Sequence, residues 1–187
     1  MAEIPADAAP AIRYRGLRFP HDGAVLPTTV RLELRAGSWQ PDYTAAALAV
    51  ATTMDRAVIF GAGTGHLAAV LSGKLGLPHV TVVEARPEVR AYLARLARDN
   101  GLHRLTVLAE ADIASLDPTL ICVDLDAATL PQGLDQCGAL RALVLHVPTN
   151  PGAETLPFPA IANAGLAYSP AESAGQGLVF ARPITAP

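Results

Sequence analysis

The chain has 187 residues, 51% hydrophobic and 17% charged, with a formal net charge of −3 at pH 7. That balance fits one globular domain with a sizeable core and excludes a disordered chain. A single lysine, Lys74, and the absence of any basic run deny it the cationic footprint of a protein that grips nucleic-acid phosphates, so no nucleic-acid partner is expected. Cys122 and Cys137 are the only cysteines, too few for a disulfide framework or a cysteine zinc site. The N-terminal stretch lacks an apolar signal core, and the apolar run from Tyr43 to Thr53 is too short to cross a bilayer. A cytoplasmic protein with no membrane partner is expected.

Residues 1–10 are rich in Ala and Pro and read as loose. Over 11–35 apolar residues fall at strand-like spacing, first Tyr14, Leu17 and Phe19, then Val30, Leu32 and Leu34, with turn residues from Pro20 to Pro27 between them. This predicts an N-terminal β-hairpin, an extension over 1–40 in front of a main domain over 41–187. Pro41 opens a helix through PDYTAAALAVATTM. Ala57–Phe60 is a short apolar strand running into Gly61-Ala62-Gly63-Thr64-Gly65, and the next helix stops near Gly76. HVTVVEA is a second strand. A helix from Arg86 to Asn100 carries Val89, Leu93, Leu96 and Ala97 on one face, with Asn100-Gly101 as its stop. LTVLAEA and LICVDLD are the third and fourth strands, with Cys122 as a small core residue of the latter. A helical piece is expected around Leu134–Leu140, followed by the strand ALVLHV, a Pro/Asn/Gly loop, the short segment AIANAG, and a terminal hairpin formed by LAYSP and GLVFARP. Strands alternating with helices predict an α/β fold of Rossmann-like, doubly wound type. Its sheet is seven-stranded and mostly parallel, with an antiparallel C-terminal hairpin and a short N-terminal β-segment in front.

Four elements carry chemistry. The glycine-rich turn lies between a strand and a helix, where a backbone that bends sharply beneath a ligand has no room for a Cβ at every position and the helix presents free N–H groups. Its spacing is G-x-G-x-G, not the G-x-G-x-x-G of dinucleotide sites. Glu84 ends the next strand, where a carboxylate can accept two hydrogen bonds from ribose hydroxyls. Asp112 follows the third strand and can accept from an adenine amino group while Ile113 packs on the ring; Glu110 is a nearby competitor. Asp124 and Asp126 end the fourth strand, where ligands of open α/β sheets bind. If the strand stays extended they point to opposite sides, Asp124 into the cleft and Asp126 towards the cap of a following helix.

In this order the elements resemble class I S-adenosylmethionine-dependent methyltransferases, and within them the FkbM-type family. That family's G-x-[YW]-E-like element is similar to Gly37-Ser38-Trp39-Gln40, its D-I-G-A-N-x-G turn to Ile59 through Gly65, and its A-F-E-P to Val82-Val83-Glu84-Ala85. Its N-G-L matches Asn100-Gly101-Leu102, and its K-I-D-V-E-G resembles Cys122 through Ala127. Departures are Ile59 in place of the acidic residue of the glycine turn, Cys122, Asp126 and Ala127 in the fourth-strand motif, and His146 where a Glu is usual. The resemblance implies S-adenosylmethionine as cofactor, held by Gly61, Ala62, Gly63, Gly65, Glu84, Ala85, Asp112, Ile113 and Asp124.

The cofactor would carry the reactive group and the protein would align an acceptor. Asp124 and His146 are the catalytic candidates, with Asp126 and His66 behind them. No H-E-x-x-H and no clustered metal ligands are visible in the sequence, so no metal is expected. Nor is there an Asn/Asp-Pro-Pro-aromatic element after the fourth strand, which favours an oxygen of a small molecule as acceptor. Trp39 and Tyr43 read equally as an aromatic lid or as packing for the N-terminal segment. One alternative is a non-catalytic, cofactor-binding or structural relative that acts through protein partners. Another is an NAD-dependent oxidoreductase with Glu84 on the adenosine ribose. The apolar composition is compatible with a homodimer.

Overall fold

The two segments in which apolar residues alternate take different structures. In the computed structural model, which describes residues 11–147 and 158–183, β1 (Ile12–Tyr14) and β2 (Leu17–Phe19) form an antiparallel hairpin. Its two turn residues, Arg15 and Gly16, both have positive φ, the backbone that matches the twist of a tight hairpin. Thr28–Ala36, expected as the second strand, is instead a helix, α1. Punctuation overrode alternation here. Pro27 stands at the N-cap, and Gly37 at φ 78 closes the far end, with Ser38 N–H returned to Glu33 O at 2.9 Å, as in a glycine-terminated helix. Leu32 of the alternating set is 57% exposed, whereas Leu26 and Leu34 are buried with Val30 packed beside them. The stripe that reaches the core therefore has a spacing of four.

The main sheet follows. α2 (Pro41–Val50) leads to β3 (Arg56–Phe60), and α3 (His66–Val70) continues as a π-helical turn over Leu71–Leu75 that Gly76 stops. β4 (His79–Val83), α4 (Pro87–Asn100), β5 (Leu105–Leu108) and β6 (Leu120–Asp124) come next. The helix expected around Leu134–Leu140 is a single 3₁₀ turn, Leu134–Gln136, because Gly133 and Gly138 bracket it. β7 (Ala142–His146), α5 (Phe158–Asn163), β8 (Ala167–Tyr168) and β9 (Gly177–Ala181) complete the chain. Residues 148–157 of the Pro/Asn/Gly loop, and the Ala/Pro-rich start, lie outside the described residues.

The seven strands run β5-β4-β3-β6-β7-β9-β8. The first five pair in parallel, and β9 runs antiparallel to both of its neighbours. The architecture is the expected α/β one. Strand order reverses between β3 and β6, the switch point at which such sheets bind ligands beyond their carboxyl ends. Alternation sorts side chains into two layers. Cys122 and Val144 join α2, α3, α4 and the N-terminal hairpin in one core, while Ile121, Val123, Leu143 and Leu145 join Leu134 and Ile161 in the other. Asp124 and His146 share the parity of Cys122 and Val144, so they emerge on the α2 side. No helix among the described residues is long and apolar enough to cross a membrane.

Helix α4 buries Val89, Tyr92, Leu93 and Leu96, each side chain worth roughly 1.5–3 kcal/mol on burial. Asn100, read only as a stop signal, also ties α4 to the hairpin. Its amide accepts from Arg18 N–H and donates to Arg18 O, both at 2.7 Å. The packing fixes Gly65 as well. A Cβ there would collide with Leu93 and stand 2.6 Å from Leu96 Cδ2, at φ 71. Gly65→Ala is therefore expected to destabilise the fold by about 3 kcal/mol, combining overpacking with left-handed strain. Urea unfolding of the two proteins measures this, and a difference below about 1 kcal/mol contradicts the packing described.

Candidate functional site

The glycine turn leaves β3 with Gly61, Gly63 and Gly65 all in the left-handed region, which suits glycine alone among common residues. The three serve different ends. A Cβ on Gly61 would stand 3.0 Å from Ala127 Cβ, Ala128 Cβ and Asp124 O, whereas one on Gly63 would meet nothing within 4 Å. Gly61 thus lets the turn pass beneath the loop after β6, Gly65 admits α4, and Gly63 faces open space. The Ala62 carbonyl accepts from Gly65 N–H at 2.7 Å, which tightens the turn.

Beside this turn lies a cleft of about 600 Å³ whose walls include Gly61, Glu84, Ala85, Arg86, Asp112 and Ile113. Glu84 is buried and is gripped by its neighbour. Arg86 Nε donates to Oε1 at 2.9 Å, Nη2 donates to Oε2 at 3.1 Å, and the Arg86 backbone N–H donates to Oε1 at 3.1 Å. Burial pushes the Glu84 carboxyl up, but the hydrogen bonds and charge of Arg86, aided by Arg90, hold it below the usual range. Arg90 in turn donates to the Glu84 and Ala85 carbonyls. Asp112 is exposed, its Oδ1 accepting from Ala114 N–H at 3.2 Å, and Ile113 is buried behind it.

Asp124 and His146 form a second, buried cluster at the adjoining strand ends, outside the residues that wall the cleft. They are register partners across β6 and β7, with His146 Nδ1 at 2.9 Å from Asp124 Oδ1. The chain does not stay extended after Asp124. Ala127 and Ala128 N–H return to the Asp124 carbonyl, and Asp126 N–H donates to Asp124 Oδ1. Asp126 consequently caps no helix. Its Oδ2 swings to 3.7 Å from His146 Nδ1. The fold thus gathers one ligand atom each from Asp124, Asp126 and His146 within 4.8 Å, a cluster that residues 20 apart in sequence could not announce.

Gln40 was not singled out as a site residue, yet its Nε2 donates to Asp124 Oδ2 at 2.8 Å and lies 3.4 Å from His146 Nδ1. It holds a left-handed backbone, φ 41, at the N-cap of α2, a strained state costing about 1 kcal/mol or more in a non-glycine residue. Its signal in the sequence was its place at the end of Gly37-Ser38-Trp39-Gln40. Tyr43 takes the packing role. It is buried in the core, with its ring 5.3 Å from that of His146, while Trp39 packs half-buried against the same core. Burial, with the nearby Cys122 and Asp124, raises the Tyr43 phenol and keeps it neutral. Cys122 is buried as expected.

Neither a protein-family model nor a curated protein matches the sequence. Solved structures match at low identity. MtNAS in complex with MTA and tNA is similar over 85% of this chain and 67% of its own, at 15% identity and TM-score 0.54. Precorrin-6y C5,15-methyltransferase from Geobacter metallireducens is similar over 72% and 84%, at 13% and 0.51. A protein of the NADB-Rossmann superfamily from Streptococcus agalactiae is similar over 79% and 71%, at 14% and 0.55. The chain is structurally similar to class I S-adenosylmethionine-dependent methyltransferases. The likeness is one of fold, to the class and not specifically to the FkbM-type family.

Two buried histidines have opposite charge preferences. Burial lowers the pKa of His146, but the hydrogen bond and charge of Asp124, with Asp126 and Gln176, more than offset this and raise it above 6.5. His66 is buried against Tyr14 and Phe19, its Nδ1 3.4 Å from Thr44 Oγ1. Burial, then the Arg15 charge, pushes it down to about 4. A raised folded pKa stabilises the fold below the unfolded value and loses that contribution as pH climbs through the folded one. A depressed histidine does the reverse, and stability falls as pH drops from 6.5 towards 4. His66→Gln is expected to remove an acid-side loss on the order of 3 kcal/mol, and His146→Gln to remove a decline above pH 6.5. Unfolding free energies measured from pH 4 to 8 check both signs, and parallel slopes for wild type and variants contradict them.

Proposed function

We propose that the protein is an S-adenosylmethionine-dependent methyltransferase that acts on an oxygen of a small molecule. The observation that carries this reading is the cleft at the switch point, lined by Gly61, the buried carboxylate of Glu84, Asp112 and Ile113 together. The residues suit an adenosine. Gly61 lines the cleft and Gly63, two residues on, has open space above it, Glu84 offers a charged double acceptor for a ribose diol, and Asp112 can accept from an exocyclic amine above the apolar Ile113. When bound, the cofactor supplies an electrophilic methyl group; the chain supplies position and a place for the acceptor's proton. Asp126 is the exposed member of the polar cluster, 54% accessible and 3.7 Å from His146 Nδ1, so a hydroxyl arriving at this rim meets a carboxylate backed by an imidazole. Gln40 holds the far oxygen of Asp124, which keeps the pair oriented.

A second reading, a relative that binds the cofactor without transferring a methyl group, rests on one observation: Asp124 and His146 are buried and already bonded to one another and to Gln40. Calorimetric titration with S-adenosylhomocysteine, and separately with NAD, tests the part common to both readings. Saturable binding of S-adenosylhomocysteine is expected, at least tenfold weaker in Glu84→Ala. Gly63→Arg is expected to abolish it while lowering the unfolding free energy by about 1–2 kcal/mol, the cost of a left-handed backbone in a non-glycine residue, since a Cβ there meets nothing within 4 Å. Binding of NAD instead, or unchanged affinity in both variants, removes the assignment. Transfer of labelled methyl to a panel of hydroxyl and carboxyl compounds then separates the two readings.

A further inference from the structure

The ribose-reading carboxylate is already occupied by the chain itself. A carboxylate accepts about four hydrogen bonds, two on each oxygen. On Glu84, Oε1 receives both Arg86 Nε and the Arg86 backbone N–H, and Oε2 receives Arg86 Nη2. Oε1 is full, and Oε2 has one position left. A ribose cis-diol that engages both oxygens needs one position on each. One ribose hydroxyl can join the fork as it stands; the second cannot until the guanidinium leaves Oε1.

The surroundings permit that departure. The Arg86 side chain is 50% exposed against 5% for Glu84, and it lies on the wall of the cleft, so the guanidinium can swing into water while the carboxylate stays. The backbone holding Glu84 does not depend on Arg86, because Arg90 Nη1 donates to the Glu84 carbonyl at 2.9 Å and also to that of Ala85. A phosphorylated ribose is not an alternative occupant at this place: its charge would find Arg86 but also a buried carboxylate in contact with it, with Glu110 and Asp112 on the same cleft.

Resting on the adenosine reading of the cleft, we propose that Arg86 is a specificity-determining competitor: the 2′,3′-diol of the cofactor binds by exchanging with the Arg86 guanidinium on Glu84. The exchange favours a ligand that replaces both charge-assisted bonds with two hydroxyls, and it sets affinity below what the carboxylate alone would give. In the free protein the same fork keeps Glu84 ionised and aimed into the cleft.

The test uses the full chain and S-adenosylhomocysteine as probe. Wild type must bind; if it does not, the adenosine reading fails and the exchange with it. Given that binding, Arg86→Gln is expected to bind about fivefold more tightly and Glu84→Gln at least tenfold more weakly, with the double variant no tighter than Glu84→Gln, because Arg86 competes only for a carboxylate. 2′-Deoxyadenosine, which keeps only the 3′-hydroxyl of the diol, is expected to gain little from Arg86→Gln compared with adenosine. Thermal melting gives an independent readout: Arg86→Gln is expected to lower the melting temperature of the free protein and to leave that of the saturated protein near the wild-type value. Equal or weaker binding in Arg86→Gln, with wild type binding normally, overturns the exchange. So does an equal fall in melting temperature with and without ligand.

Discussion

The parallel pairing of β3 with β4 on one side and β6 on the other is the constraint on which the rest depends. Ile59 stands opposite Val82 in one neighbour and Cys122 in the other. Because the three strands run the same way and end together, the glycine turn, Glu84 and Asp124 all leave the sheet at one edge. Helices on both faces then leave that edge as the place where polar groups reach a ligand. The connection from β3 to α3 is short on this side, and its left-handed glycines make it so.

Two polar centres sit at that edge with different electrostatic characters. Around Glu84 the chain supplies cations, Arg86 and Arg90, so burial of a carboxylate is tolerated and its charge retained. Around His146 it supplies Asp124 and Asp126, which more than offset burial and raise the pKa of the imidazole. His66, deeper and near Arg15, has no acidic partner among the described residues and stays neutral above about pH 4. In each case desolvation alone opposes the charged state, and the neighbours decide whether it wins. The cleft and the His146 cluster are adjoining but distinct, with Gln40 on the second.

The N-terminal segment is part of this arrangement and not an appendage in packing terms. Ile12, Leu17, Phe19, Leu26 and Leu34 lie in the same core as Leu67, Leu71, Leu93 and Leu96. Asn100 stitches α4 to β2, and α2 brings Gln40 and Tyr43 to the strand ends. The strained backbone of Gln40 is what an over-determined position looks like: Pro41 fixes the helix start after it, and Asp124 fixes its side chain.

The sequence by itself determined most of the sheet. Apolar runs bounded by Gly, Pro and Asn marked β3 to β7 within three residues at either end, since buried parallel strands need such runs. It also determined the glycine turn and the acidic strand ends, because close backbone approach and charge at a strand terminus leave local traces. Tertiary structure decided what local pattern leaves open. Val30, Leu32 and Leu34 alternate like a strand, yet Pro27 and Gly37 and a core that receives Leu26 and Leu34 made a helix. Asp126 was expected to face away from Asp124, and a turn brought both to His146. Gln40 met Asp124 across 84 residues, a distance over which no spacing rule operates. Arg86 on Glu84 was close in sequence, but only side-chain geometry reveals that the guanidinium fills the carboxylate. Buried strands are written in local apolar runs; the partners of a buried charge are set by which elements the fold packs against it.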